Sequence, residues 1–214
     1  MIEENLDPYG VGYGLIYPRN MVPSLLSHFL KSARGKKLRV FEIGFGLGNT
    51  AKMFININVE EYVGVEYSKQ ACQQVNRAND FPNNFTFINA DINVLRNLPI
   101  FSNFVRSFDL VIDSASLQHV TNEKTKLDIA IETTADLLKD NGTYLTQWSG
   151  IQNPNPRTRF PNFVSYEDAK EIIKKYFVEK IEYKNTNLKT FPEQTFEVVE
   201  YGSLWSKLND NSKF

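Results

Sequence analysis

The segment Glu42-Ile43-Gly44-Phe45-Gly46-Leu47-Gly48-Asn49-Thr50 sets a carboxylate just ahead of three glycines at alternate positions. Glycines between a strand-like run and a helical one let a ligand approach the backbone closely and meet helix N–H groups. The dinucleotide fingerprint Gly-x-Gly-x-x-Gly is not met, because the third glycine comes one residue early. Glu42, two positions before Gly44, would repel a pyrophosphate and suits a cationic ligand, which argues against a nicotinamide dehydrogenase. Two further carboxylates end later apolar runs. Glu66 stands 18 residues after Gly48, where it can accept both hydroxyls of a ribose, and Asp91 can accept the exocyclic amine of adenine. The structural alternatives are a surface residue at a strand end for Glu66 and a helix cap for Asp91.

The elements that must position these residues alternate along the chain. Strand-like runs occupy 38–43, 62–67, 85–90, 108–112 and 142–148, and helical spacing occupies 49–57, 69–79, 123–139 and 166–176. Such alternation predicts βαβ units and a parallel sheet. Ser68 fits a helix N-cap, and Asn141-Gly142 closes the helix before the fifth strand. At the end, 177–184 and 195–205 read as two strands joined by 185–194 with no helix between, which suits an antiparallel pair. The first 37 residues hold a Gly/Tyr/Pro-rich stretch and one helix around 21–33.

Composition narrows the class. The chain has 214 residues, 42% hydrophobic and 13% aromatic, enough for the core of one domain and unlike a disordered chain. Lys+Arg number 24 against 25 Asp+Glu, so the basic excess of a nucleic-acid binder is missing. One cysteine, Cys72, forms neither an internal disulfide nor a cysteine zinc cage. Met1-Ile2-Glu3-Glu4-Asn5 is unlike a secretory signal, and no stretch nears the roughly 18 apolar residues of a membrane helix. The expectation is a soluble cytoplasmic protein with no membrane or nucleic-acid partner; oligomeric state is not readable.

In motif order the chain resembles the class I S-adenosylmethionine-dependent methyltransferases. The matching stretches are Phe41 to Gly48, Gly64-Val65-Glu66, Asn89-Ala90-Asp91-Ile92, Phe108-Asp109-Leu110-Val111 and Leu137-Leu138-Lys139-Asp140-Asn141-Gly142, across roughly 36–150. The resemblance implies an α/β, Rossmann-like sheet of seven strands, doubly wound, with the last strand antiparallel. It implies S-adenosylmethionine as cofactor and S-adenosylhomocysteine as product. Glu42, Gly44, Gly46 and Gly48 would then cradle the methionine and ribose part, with Glu66 on the ribose and Asp91 on the adenine. Tyr67 and Ile92 would be apolar walls, and Asp113 would border the cofactor.

Acceptor chemistry should sit just after the fourth strand, in Asp113-Ser114-Ala115-Ser116-Leu117-Gln118-His119-Val120. The Asn/Asp-Pro-Pro-Tyr turn of base and glutamine amino-methyltransferases is absent; Asn153-Pro154-Asn155-Pro156 follows the fifth strand instead. Asp113 is one residue off the magnesium register of catechol-type enzymes, and Gln147-Trp148-Ser149 supplies no ligand pair, so no metal is expected. Asp113 to Leu117 partly resembles the Asp-Arg-Gly-Ala-Leu turn of thiopurine and thiol methyltransferases. Leu117-Gln118-His119-Val120 resembles the Leu-x-His-Leu of many small-molecule members. His119 is the candidate base, since its ordinary pKa suits proton abstraction near neutrality, and Asp113 joins it as a catalytic candidate. The competing reading makes His119 a residue that fixes the turn.

The loop 149–165 follows the fifth strand and carries Arg157 and Arg159, which can clamp a phosphate or carboxylate or remain solvated loop charges. Trp148 precedes it, and Tyr13, Tyr17 and Arg19 lie in an N-terminal segment that can fold over the site or pack. The domain reading is a lid and helix at 1–37, a cofactor core at 38–148, an acceptor loop at 149–165 and a closing helix and strand pair at 166–214. The expected function is O-methylation of a small polar or anionic acceptor, such as a sugar, nucleotide-linked sugar or phosphorylated precursor of a surface glycan. The rivals are N-methylation of a protein or RNA site and a non-catalytic cofactor-binding regulator.

Overall fold

The computed structural model describes residues 21–57, 59–78, 80–120, 123–151, 164–191 and 194–208, with only the backbone at 119–120, 149–151, 187–191 and 194–198. Seven strands, β1 (Leu38–Ile43), β2 (Val59–Glu66), β3 (Phe85–Asn89), β4 (Phe108–Ser114), β5 (Leu138–Ile151), β6 (Phe177–Phe191) and β7 (Gln194–Lys207), form one sheet. Their order is β3-β2-β1-β4-β5-β7-β6. Strands β1 to β5 pair in parallel, and β7 runs antiparallel between β5 and β6.

Apolar side chains on both faces of the central strands call for helical layers on both sides. On one face Val40, Leu110, Ile112, Leu145 and Leu204 pack under Val22, Leu25 and Leu26 of α1 (Met21–Ser32), and against Ala51 and Phe54. Ala51 belongs to α2 (Asn49–Lys52); α3 (Lys69–Ala78) sets Cys72 and Val75 against Phe45 and Phe87. On the other face Phe41, Val63, Val111, Tyr144 and Trp205 meet Leu127, Ala130 and Ile131 of α5 (Lys124–Leu137) and Ile172 and Ile173 of α6 (Tyr166–Ile173). Between β4 and α5 lies α4 (Leu117–Val120). The expected doubly wound sheet with an antiparallel last strand is the sheet found.

Two boundaries differ from the sequence expectation. The helix expected over 49–57 stops at Lys52, where Phe54 turns into the core among β-branched Ile55 and Ile57, which are poor helix formers. The connection expected at 185–194 is itself paired strand, since β6 and β7 stay in register from Phe177↔Lys207 out to Phe191↔Gln194. Thr186, Thr190, Thr195, Val198 and Val199 give that hairpin its β-forming character.

Candidate functional site

In a parallel sheet the carboxyl ends of the strands share one edge, and the loops that leave it converge there. Glu42 near the end of β1, Glu66 at the end of β2 and Asp113 near the end of β4 are 1%, 3% and 0% exposed. Register aligns Glu42 with Gly64 on β2 and Ile112 on β4. Gly44, Gly46 and Gly48 all take positive φ (67°, 54° and 76°), so the turn from β1 into α2 needs glycine. A Cβ on Gly44 would also lie 2.1 Å from Ser116 Oγ, so this loop and the one after β4 are in contact.

Each carboxylate has a different set of partners. Glu66 accepts from Gly46 N (3.0 Å) and Ser68 N (2.7 Å), which fixes it against the glycine loop. Asp113 Oδ1 accepts from Ser116 N (2.7 Å) and Leu117 N (3.1 Å), capping the turn into α4. Within that turn Ala115 holds φ 62°, a strained conformation for a residue with a Cβ. Tyr144, buried on β5, lies near Asp113, and burial followed by that negative charge holds its phenol far above its ordinary range. Ser116 Oγ donates to Gly44 O at 3.2 Å, joining the two loops.

Glu42 is the unusual member. It accepts from the Tyr62 hydroxyl and from Thr50, and no cationic side chain pairs with it among the described residues. Burial pushes its carboxyl from 4.5 up to about 7; the Tyr62 and Thr50 hydrogen bonds pull it down, and the charges of Glu66 and Asp113 push it up. A buried carboxylate facing two others is a receptor for a cation.

The other candidates fall in several places. Asp91, partly buried, accepts through Oδ1 from Asn93 N (2.9 Å) and Nδ2 (3.2 Å), an Asx turn after β3. Tyr67 is 76% exposed beyond Glu66, whereas Ile92 is 3% exposed and part of the α5-side core. Trp148 is also in that core, 1% exposed, with its indole N–H donating to Val164 O at 3.3 Å. His119 lies in α4, but its side chain is outside the described residues, as are Tyr13, Tyr17, Arg19, Arg157 and Arg159.

Sequence reasoning passed over Tyr62, Thr50, Ser116 and Gln147. Strand parity was the available signal for Tyr62, which lies four residues before Glu66 and so shares its face. Gln147 is fully buried in β5 beside Ser114 and Gly202, and neither of its amide atoms has a hydrogen-bond partner among the described residues. An amide in that state stands ready for a ligand carrying both a donor and an acceptor.

A family model described as a methyltransferase domain matches residues 41–144. No curated protein matches the chain in sequence. Among solved structures, N-methyltransferase NodS from Bradyrhizobium japonicum WM9 in complex with S-adenosyl-L-homocysteine aligns with a TM-score of 0.63 at 15% identity, covering 87% of this chain and 85% of that one. PH0226 protein from Pyrococcus horikoshii OT3 gives 0.64 at 18% identity over 92% and 95%. MccD protein gives 0.68 at 13% over 91% and 100%. At these identities the likeness is one of fold.

The buried Glu42 has a consequence for stability. Its folded-state pKa lies above the ordinary glutamate value, so the unfolded chain ionises first and folding is opposed once the group must be charged. That cost is absent below about pH 4.5, grows as pH rises, and levels above about pH 7 at roughly 3 kcal/mol. Glu42→Gln is therefore expected to raise the Tm of the ligand-free protein at pH 8, with a much smaller rise at pH 5, by scanning calorimetry. Equal shifts at both pH values would show that the carboxyl does not titrate in this range.

Proposed function

We propose that this chain, a member of the class I S-adenosylmethionine-dependent methyltransferases, moves a methyl group to an oxygen of a small polar or anionic acceptor. The observation that carries the cofactor reading is the glycine loop opening beside Glu42, a buried carboxylate that no cationic side chain among the described residues meets. That donor set fits a ligand with a cationic methionine end, and the backbone at Gly44, Gly46 and Gly48 leaves room for close approach.

Bound there, S-adenosylmethionine supplies a sulfonium methyl already activated for in-line displacement. The chain's own residues bind and orient. Glu42 faces the cationic end, Glu66 accepts the ribose hydroxyls in addition to its two backbone donors, and Asp91 accepts the adenine amine. Tyr67, exposed beside Glu66, supplies the apolar wall on that side, and Ile92 supports the adenine end from within the core. Asp113 holds the turn that presents the segment Ser114 to His119, and His119 takes the proton of a hydroxyl acceptor.

Acceptor recognition in this reading falls to Arg157 and Arg159 in the loop 149–165 and to Tyr13, Tyr17 and Arg19 in the N-terminal segment, which acts as a lid. Trp148 holds the acceptor loop from beneath through Val164. The Gln147 amide, without a hydrogen-bond partner among the described residues, supports an acceptor with adjacent hydroxyls, and two arginines support an anionic group. Both fit a phosphorylated or nucleotide-linked sugar, the class of precursor used to build surface glycans.

The direct test is S-adenosylhomocysteine release across phosphorylated sugars, nucleotide sugars, carboxylates and amines. Turnover on an anionic sugar supports the reading; turnover on amines alone would make the chain an N-methyltransferase. Silence from a protein that still binds S-adenosylhomocysteine would point to a macromolecular acceptor or a regulator. Glu66→Ala is expected to weaken S-adenosylhomocysteine binding by about 1–3 kcal/mol by calorimetry, and unchanged affinity would remove the cofactor assignment. On an active acceptor, His119→Ala is expected to cut kcat about 100-fold while sparing cofactor affinity; unchanged kcat would send the proton elsewhere.

A further inference from the structure

Tyr62 is a fully buried residue of β2 that neither the family motifs nor the proposed chemistry uses. The register Val40↔Tyr62 and Glu42↔Gly64 puts Tyr62 one pleat before the residue opposite Glu42, on the same face. Gly64 offers no side chain at the opposing position, and the Tyr62 hydroxyl reaches diagonally to donate to Glu42 Oε2. Its ring is clamped, stacked on Phe85 (4.8 Å, 12°) and tilted against Phe54 (5.4 Å) and Phe87 (6.2 Å). Among the described residues, the groups that face Glu42 are Tyr62 and Glu66 from β2, Thr50 from α2 and Asp113 from β4. Two are hydroxyl donors, two are carboxylates, and none is a cation.

We propose that Tyr62 is a positioning residue of the cofactor site, holding the Glu42 carboxylate in place and charged for the cationic methionine end of the ligand. The proposal rests on the cofactor reading above. With its phenol pushed far above the ordinary range by burial and by Glu42, Tyr62 stays protonated and only donates. Its hydrogen bond opposes the burial and the like charges that favour neutral Glu42. A ligand ammonium binds ionised Glu42 and so expels a proton wherever the free site is still protonated. Affinity then rises with pH up to about 7 and levels above it. Deleting the hydroxyl moves that profile to higher pH, because Glu42 then loses its proton later.

The experiment is calorimetric titration with S-adenosylhomocysteine, which carries the ammonium, from pH 5.5 to 8.5. It uses the wild type, Tyr62→Phe and Glu42→Gln, each in two buffers of different ionisation enthalpy. For the wild type, Kd is expected to fall nearly tenfold per unit at the acid end, with about one proton released at pH 5.5 to 6. For Tyr62→Phe the profile is expected to shift up by about one pH unit, giving about fivefold weaker binding at pH 7 and near-equal binding at pH 8.5. For Glu42→Gln, binding is expected to be weak, nearly independent of pH and without proton release.

Tyr62→Phe binding with the wild-type profile would overturn the proposal. So would weakening by one constant factor at every pH, the mark of a purely structural role. Wild-type pH dependence surviving in Glu42→Gln would do the same. If Tyr62→Phe does not fold, the wild type and Glu42→Gln still decide, since absent wild-type proton release overturns the mechanism. No S-adenosylhomocysteine binding to the wild type at any pH would instead sink the cofactor reading itself.

Discussion

Three carboxylates withdrawn from water at one edge of a sheet are the constraint around which the molecule is arranged. Burying an ionised carboxylate costs several kcal/mol unless hydrogen bonds or an opposite charge offset it. Here the offsets for Glu66 and Asp113 include backbone N–H groups of the turns that leave the strands, at 2.7 to 3.1 Å. Glu42 has two side-chain hydroxyls instead. Such donors are available at the carboxyl edge of a parallel sheet, where chains turn into helices with unpaired amides. An antiparallel meander would scatter the same side chains over both edges. The site is thus a property of the connectivity as much as of the residues.

The loops at this edge are interlocked rather than merely adjacent. Asp113 draws Ser116 N and Leu117 N inward, Ala115 accepts a left-handed backbone, and Ser116 then fills the space a Cβ on Gly44 would need. The glycine at 44 is therefore doubly required, by its own φ and by its neighbour. Strain of this kind persists where surrounding structure over-determines it, and such places cluster at functional sites. The turn after β4, where acceptor chemistry is proposed, shares a hydrogen bond with the loop that would cradle the cofactor. A shift of one is felt by the other without any long path between them.

How much of this was legible in the sequence depended on which physical signal carried it. The parallel strands announced themselves as apolar runs, and Glu66 by its distance from the glycine loop, because both are one-dimensional patterns. Tyr62 did not, because its bond to Glu42 depends on the register between two strands, and register is a tertiary fact. The resemblance makes Ile92 an apolar wall of the site, and Trp148 enters as the residue that precedes the acceptor loop; the structure places both side chains in the core. Nothing local separates an apolar residue lining a ligand from one 1–3% exposed in the core. The hairpin beyond 185 was hidden for another reason. Asn, Lys and Thr in that stretch of sequence look like a loop, and only the ladder between β6 and β7 shows otherwise.

Charge is also sorted along the strands, and this explains why no cation among the described residues meets Glu42. Arg39, at the start of β1, pairs with Glu61 at 2.6 Å, and Lys139, at the start of β5, bonds Asp109 at 2.9 Å. Asp109, near the start of β4, also accepts from Arg39 N at 3.0 Å. These contacts tie β1, β2, β4 and β5 together at or toward the amino-terminal end of the parallel strands, opposite the carboxylate edge. Partly exposed pairs of this kind contribute little stability each, so their placement matters more than their strength. Arg39 stands three residues before Glu42, about 10 Å along the strand and on the opposite face, and its pairing with Glu61 holds it there. No cation among the described residues meets that charge, and in the proposed reading the stability it removes from the empty protein is recovered when a cationic ligand binds.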